Sequence, residues 1–230
     1  KGEFGLSNKL IGICLKEACK PDFINAGGHG ADILLTTCAI TNNVKICEVD
    51  LGVKICKRSP GKHEILFRET TEALFERIIK DRGFWEEGRN ITQLPMVFGS
   101  RKDHQPERMV LSQKEPLGRY KQGFNKFYHT VYEKVLPESI SKELEALVEK
   151  ESDEFKFPSN LWVEIVYDFL LAFSFGKDIT RGDLLNSLVP LYQGRLGGFV
   201  KEVNSFKREL KDIDSHLADG ISALKAEKLI

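Results

Sequence analysis

Apolar positions recur at helical spacing from the start of the chain. Leu10, Ile11, Cys14 and Leu15 follow Ser7, a good N-cap, and predict a helix from that point. A second helix is predicted from Gly30 to about Asn43, with Ile33, Leu34, Thr37, Cys38 and Ile40 inside it. The period then changes. Val44, Ile46, Val49, Leu51, Val53 and Ile55 alternate with polar residues over most of 44–57, the pattern of a half-buried strand bent or bulged at Gly52. After Pro60-Gly61 the pattern turns helical: Thr71, Leu74, Phe75, Ile78 and Ile79 line one face of a helix that ends near Gly83. Residues 86–116 carry Gly88, Pro95, Gly99, Pro106 and Pro116 among many charges and have no period, which marks a connector.

The second half reads as helix throughout. Tyr120, Phe124, Phe127, Tyr128, Val131 and Val135 form an aromatic stripe that Pro137 stops, and Ile140, Leu144, Leu147 and Val148 mark a shorter helix. Trp162, Ile165, Val166, Phe169, Leu170 and Phe173 predict a helix at the buried centre of a bundle, since Tyr167 and Leu171 are apolar too. Thr180 with Asp183 resembles a capping box, and Pro190 is predicted to kink or break the helix it starts. Phe206, Leu210, Ile213, Leu217, Ile221 and Leu224 form a narrow seam on a terminal helix. The fold expected is mostly α with a small α/β part: an α/β segment over 1–85, the connector 86–116 and a helical bundle over 117–230.

Composition narrows the function classes. Lys and Arg number 34 and Asp and Glu 34, so the net charge is zero, and a strongly basic nucleic-acid binder is not expected. No stretch reaches the roughly 20 apolar residues that span a bilayer, and no signal peptide opens the chain, so a cytoplasmic protein is expected. The five cysteines, Cys14, Cys19, Cys38, Cys47 and Cys56, are odd in number and show no metal-ligand spacing; they read as reduced, mostly buried thiols. Lys1 is not an initiator Met, and the first residues read like the middle of a longer chain or the start of a short gene.

Gly27-Gly28-His29-Gly30 precedes a helix, where bare N–H groups attract anions, but the dinucleotide fingerprint fails and a plain loop is favoured. Asp32 falls in the first turn of that helix, where the helix dipole stabilises an acid whatever its role. The five histidines are scattered and form no recognisable catalytic arrangement.

Several blocks, in order, resemble the C-terminal half of the retaining glycosyltransferases that make mannosylglycerate and glucosyl-3-phosphoglycerate. Gly2-Glu3-Phe4-Gly5 is similar to their acceptor loop, and Gly28-His29-Gly30-Ala31-Asp32-Ile33 to a motif whose acid opens a helix beneath the sugar. Leu51-Gly52-Val53-Lys54 is similar to the end of their last core strand. Leu161-Trp162, Val166-Tyr167-Asp168-Phe169 and Leu188-Val189-Pro190-Leu191-Tyr192, with Gly194-Arg195, match blocks of their helical domain. The resemblance spans essentially the whole chain and about the latter half of such an enzyme.

The resemblance implies a partial glycosyltransferase A-type fold followed by a helical bundle. It implies sugar transfer, with retention, from a nucleotide-diphosphate donor to a glycerate-like or phosphoglycerate-like acceptor. Asp32 and Glu3 would be the catalytic acids, with Gly2, Phe4, Gly5, His29 and Gly30 shaping the acceptor loop. A divalent metal, Mg²⁺ or Mn²⁺, would serve the complete enzyme, and the family's metal-binding histidine falls at Cys56. Thiolate is a poor match for a hard cation, and His63 is a poor substitute. The Asp-x-Asp motif and nucleotide-binding half would precede Lys1; the only D-x-D here, Asp212-Ile213-Asp214, is a solvated face of the terminal helix. The expected protein is therefore truncated or split and inactive alone, with a homodimer or a missing N-terminal half as partner. The alternative is a non-catalytic helical assembly or binding module descended from such an enzyme.

Overall fold

A computed structural model describes residues 4–20, 30–51, 62–87, 95–99 and 112–227, with the side chains of the last helix described as far as Phe206. The protein is mostly α with a small α/β part, in two compact units. The first takes residues 1–109 and 173–189, the second 110–172 and 190–230.

In the first unit, α1 (Asn8–Ala18) begins where Ser7 Oγ accepts from the Leu10 amide at 3.3 Å, the N-cap foreseen from sequence. Helix α2 (Ala31–Thr41) buries Leu34, Cys38 and Ala39 against Leu10, with Ile13, Cys14 and Val44 packed around them. It ends in a Schellman motif. Asn43 takes the left-handed conformation (φ 51°), its amide donates to Ile40 O, and the Val44 amide donates back to Ala39 O at 2.9 Å. That turn folds Val44 onto the α1–α2 core, so Val44 belongs to a helix end and not to a strand.

The strand itself is far shorter than its alternation suggests. β1 (Cys47–Val49) pairs in parallel with β2 (Met96–Phe98), in register Cys47↔Met96, Glu48↔Val97 and Val49↔Phe98. All six residues are exposed. Alternation reports half-burial only where a second layer covers one face, and among the described residues none does. Residues 52–60, including Gly52, lie outside the described residues. β2 arises inside the segment expected to be a structureless connector. Gly99 ends it at φ 95°, where an added Cβ would also meet Asp50 O at 3.0 Å.

Helix α3 (Lys62–Lys80) starts well before the predicted face and buries Thr71, Ala73, Phe75 and Arg77. Phe75 meets Phe173 edge-on at 5.5 Å, and the Arg181 guanidinium lies 4.4 Å over the Phe173 ring. A short α4 (Arg82–Glu86) follows.

The second unit is built on aromatic rings. Helix α5 (Lys114–Phe127) passes into a π-helical turn (Tyr128–Tyr132) and a last turn, α6 (Glu133–Val135). Val131 is buried as the stripe predicted, but the π turn adds one residue to the repeat and shifts the face beyond it, so Tyr132 and Leu136 are buried where the stripe predicted Val135. Tyr120 touches Phe124, Phe155 and Phe157, and Tyr132 stacks on Phe124 at 5.3 Å and reaches Phe169. The Tyr120 hydroxyl donates to Leu144 O of α7 (Glu138–Val148) at 2.7 Å. Burial pushes the Tyr120 phenol far above its usual range, so it stays a neutral donor.

Helix α8 (Ser159–Phe175) is half a bundle centre. Leu161, Ile165 and Phe169 are buried on one side, whereas Val163, Tyr167 and Leu171 on the opposite side are exposed. The expected full burial fails because no described element covers that second face. Helix α9 (Arg181–Glu227) opens with Thr180 Oγ1 accepting from the Asp183 amide at 3.1 Å and donating to its carboxylate at 2.7 Å. It continues through Pro190 without the break that was one of the two expected outcomes. The Pro190 ring occupies the space left by the missing side chain of Gly123, and that packing offsets the lost hydrogen bond. The Phe206–Leu224 seam, apart from Phe206, lies outside the described side chains.

Gly194, Gly197 and Gly198 give α9 a bare surface against which Phe155 and Phe157 pack. Arg195 fixes the same segment by donating to Phe157 O at 3.0 Å while gripping Glu202, and Lys201 donates to Asp153 O. A Cβ on Gly194 would sit 2.8 Å from Tyr120 and 2.9 Å from Phe157 ring atoms. Gly194→Ala is therefore expected to destabilise the fold by about 1–3 kcal/mol, read as a lower denaturant midpoint with an unchanged slope.

Candidate functional site

Of the residues singled out from sequence, Asp32, Gly30, Phe4 and Gly5 are described; Gly2, Glu3, His29 and Cys56 lie outside the described residues. Gly30 is the N-cap of α2 and has no side chain to cap with. Its role is steric. A Cβ there would lie 2.7 Å from Ala73 Cβ and 3.6 Å from Glu69 O, so glycine lets the start of α2 press onto α3.

Asp32 follows in the first turn, half-buried, where the helix dipole favours its charge. Among the described residues its carboxylate takes no ion pair and no hydrogen bond. The neighbouring hydroxyls are already engaged: Thr36 donates to Asp32 O at 2.9 Å and Thr37 to Ile33 O at 2.8 Å. Asp32 is thus a helix-start carboxylate without a partner among the described residues. Phe4 is exposed, a Cβ added at Gly5 would meet nothing within 4 Å, and both lie in irregular chain leading to the Ser7 cap. Among the described residues no group of three or more His, Cys, Asp or Glu is arranged to hold a metal ion.

One charged cluster escaped the sequence reading. Glu17 on α1 receives Lys20 at 2.5 Å and Lys80 at 3.2 Å, with Arg77 at 3.9 Å. Arg77, buried, also pairs with Asp81 at 2.6 Å. Burial alone would raise the Glu17 carboxyl, but Lys20 and Lys80 together outweigh it and hold the group below its usual value. At Asp81 burial wins over Arg77, and the carboxyl is raised. The cluster links α1 to the end of α3 through ion pairs. Its only sequence signal is Arg77 among apolar α3 positions, which also fits an exposed face.

No protein-family model, curated protein or solved structure matches the chain. The functional reading therefore rests on residues and geometry.

Two measurements follow from these contacts. Asp32→Asn is expected to cost no more than about 1 kcal/mol, the value of a helix-dipole contact, whereas Gly30→Ala should cost about 1–3 kcal/mol by displacing Ala73. Chemical denaturation of both variants checks the contrast. Glu17, lowered in the fold, adds stability that is complete above the usual carboxylate value of 4.5 and lost as pH falls through its folded value. Glu17→Gln should cost about 1–2 kcal/mol at neutral pH, with the gap to wild type closing as the medium is acidified below 4.5. Asp81 acts with the opposite sign, so the acid loss in wild type should be shallower than Glu17 alone would give. Melting temperatures against pH test both signs.

Proposed function

We propose that this chain is the acceptor-side and helical portion of a retaining nucleotide-sugar glycosyltransferase of the mannosylglycerate and glucosyl-3-phosphoglycerate synthase kind. The nucleotide-binding sheet and its Asp-x-Asp motif come from a further polypeptide segment. The observation that carries this reading is the β1–β2 pair. Parallel strands are stable where both faces are covered, yet Val49, Met96, Val97 and Phe98 are 50% to 67% exposed. Among the described residues neither face of the pair is covered, which supports reading it as part of a larger sheet whose other strands lie elsewhere. The order of the sequence blocks supplies the identity of that sheet.

In this reading Asp32 orients donor and acceptor hydroxyls, a task suited to a carboxylate at a helix start that has no partner among the described residues. The Phe4-Gly5 segment borders the acceptor. Among the described residues no donor set for a divalent metal is found, and no step is routed through Cys56, which lies outside them. No helix of the described residues is long and apolar enough to cross a membrane. Cys14, Cys19, Cys38 and Cys47 are free, which suits the cytoplasm.

A second reading has its own observation. The second unit closes a complete aromatic core without any of the site residues, as a non-catalytic assembly or binding module descended from such an enzyme would.

Calorimetry with nucleotide-mannose and nucleotide-glucose donors and Mn²⁺ separates the two. The chain alone is expected to show no saturable binding. Co-expressed with the sequence encoded upstream of Lys1, it should bind donor and transfer sugar, and Asp32→Asn should abolish transfer without loss of folding. Saturable binding by the chain alone would relocate the donor site. A well-folded complex that binds no donor would favour the assembly module.

A further inference from the structure

The sequence of α8 is apolar on two opposite sides, with Glu164 and Asp168 between them, a composition that belongs to helices covered on both sides. One side is covered: Leu161, Ile165 and Phe169, four residues apart, are 0–2% exposed. On the opposite side Val163, Tyr167 and Leu171, also four apart, are 50%, 64% and 55% exposed. At 100° per residue the three form a stripe about 80° wide and roughly 12 Å long. Large apolar side chains set out this way on one rigid helix are costly to leave in water, and such patches mark contact surfaces.

The charges of α8 define what fits there. Its only ionisable side chains besides Tyr167 are Glu164 and Asp168, both acidic and one turn apart, along a single border of the stripe. Among the described residues neither has a cationic partner. Like charges at this spacing repel, and the Asp168 carboxyl is raised, first by burial and then by the Glu164 charge. A cation on that border would relieve both.

A second copy of α8 cannot provide it. An antiparallel pair across a two-fold axis brings both acidic borders to the same side of the contact, and α8 has no Lys, Arg or His to answer them. A parallel pair leaves each border facing a helix equally devoid of positive charge.

We propose that the Val163–Tyr167–Leu171 face of α8 is a docking surface for an amphipathic helix of a partner protein that carries Lys or Arg beside its apolar seam. The partner's apolar side chains lie along the stripe, and its cations meet Glu164 and Asp168 at the border, the helix-in-groove mode of recognition with charge setting orientation. The inference stands apart from glycosyl transfer and applies equally to an enzyme and to an assembly module.

The test uses the full chain and two synthetic helical peptides of about 18 residues, five turns. They share one leucine seam and differ in having Lys or Glu along its flanks. Titration followed by amide chemical shifts is expected to show the Lys peptide binding on α8 and the Glu peptide not binding. The double variant Glu164→Gln, Asp168→Asn should bind the Lys peptide about tenfold more weakly, the combined value of two exposed ion pairs. Leu171→Ser should weaken it as well. All these positions are wholly or partly solvent-facing, and unchanged melting temperatures would confirm that the variants fold. Equal binding of both peptides, no binding of the Lys peptide, or indifference to the double variant would overturn the proposal. Self-association of the chain that Leu171→Ser abolishes would overturn it too, by assigning the face to a second copy.

Discussion

The second unit depends on how closely a side chain can approach bare backbone. Phe155 and Phe157 reach the centre of the core only because α9 presents Gly194, Gly197 and Gly198 to them. With those rings in place, Tyr120 is enclosed on three sides and its hydroxyl has one partner within reach, the Leu144 carbonyl. That bond ties α5 to α7 in a setting without competing water, where an unmade hydrogen bond would cost far more than a made one returns. Pro190 against Gly123 repeats the device between α9 and α5. Small residues thus determine where the large ones can go.

The first unit is held by a different balance. Its apolar core is modest, with Leu10, Leu34, Cys38 and Ala39 at the centre, and a buried guanidinium stands beside it. Arg77 is tolerable there because Asp81 and Glu17 answer its charge, while the lysines around Glu17 keep that carboxylate ionised. Ion pairs from Glu17 to Arg77 and Lys80 tie α1 to α3. The start of α2 is set against α3 by Gly30, and Asp32 is carried on that rigid junction.

Signals contained within a few consecutive residues were legible in the sequence. Ser7 caps α1, Thr180 and Asp183 cap α9, and the periods of Leu34–Cys38 and Ile140–Leu144 mark buried faces. Signals that depend on a distant partner were not. Pro190 reads as a break until Gly123 is seen beside it, and the alternation of 44–57 reads as a half-buried strand, although in its described part only Cys47–Val49 is strand and no described layer covers it. The two apolar sides of α8 read as a bundle centre although one of them is open. Asp32 was legible as a helix-start acid, because that property is local. The steric reason for Gly30 was not, since it is set by Ala73 and Glu69 of α3.

The π turn at Tyr128–Tyr132 makes helix length itself a folding variable. One residue more than an α-helical repeat rotates everything beyond it by about 100°, and that rotation turns Tyr132 and Leu136 inward. Deleting a single residue there would leave every side chain of the segment in place by type and present the wrong ones to Phe124 and Phe169. The segment can therefore exchange residues in evolution far more readily than it can gain or lose one.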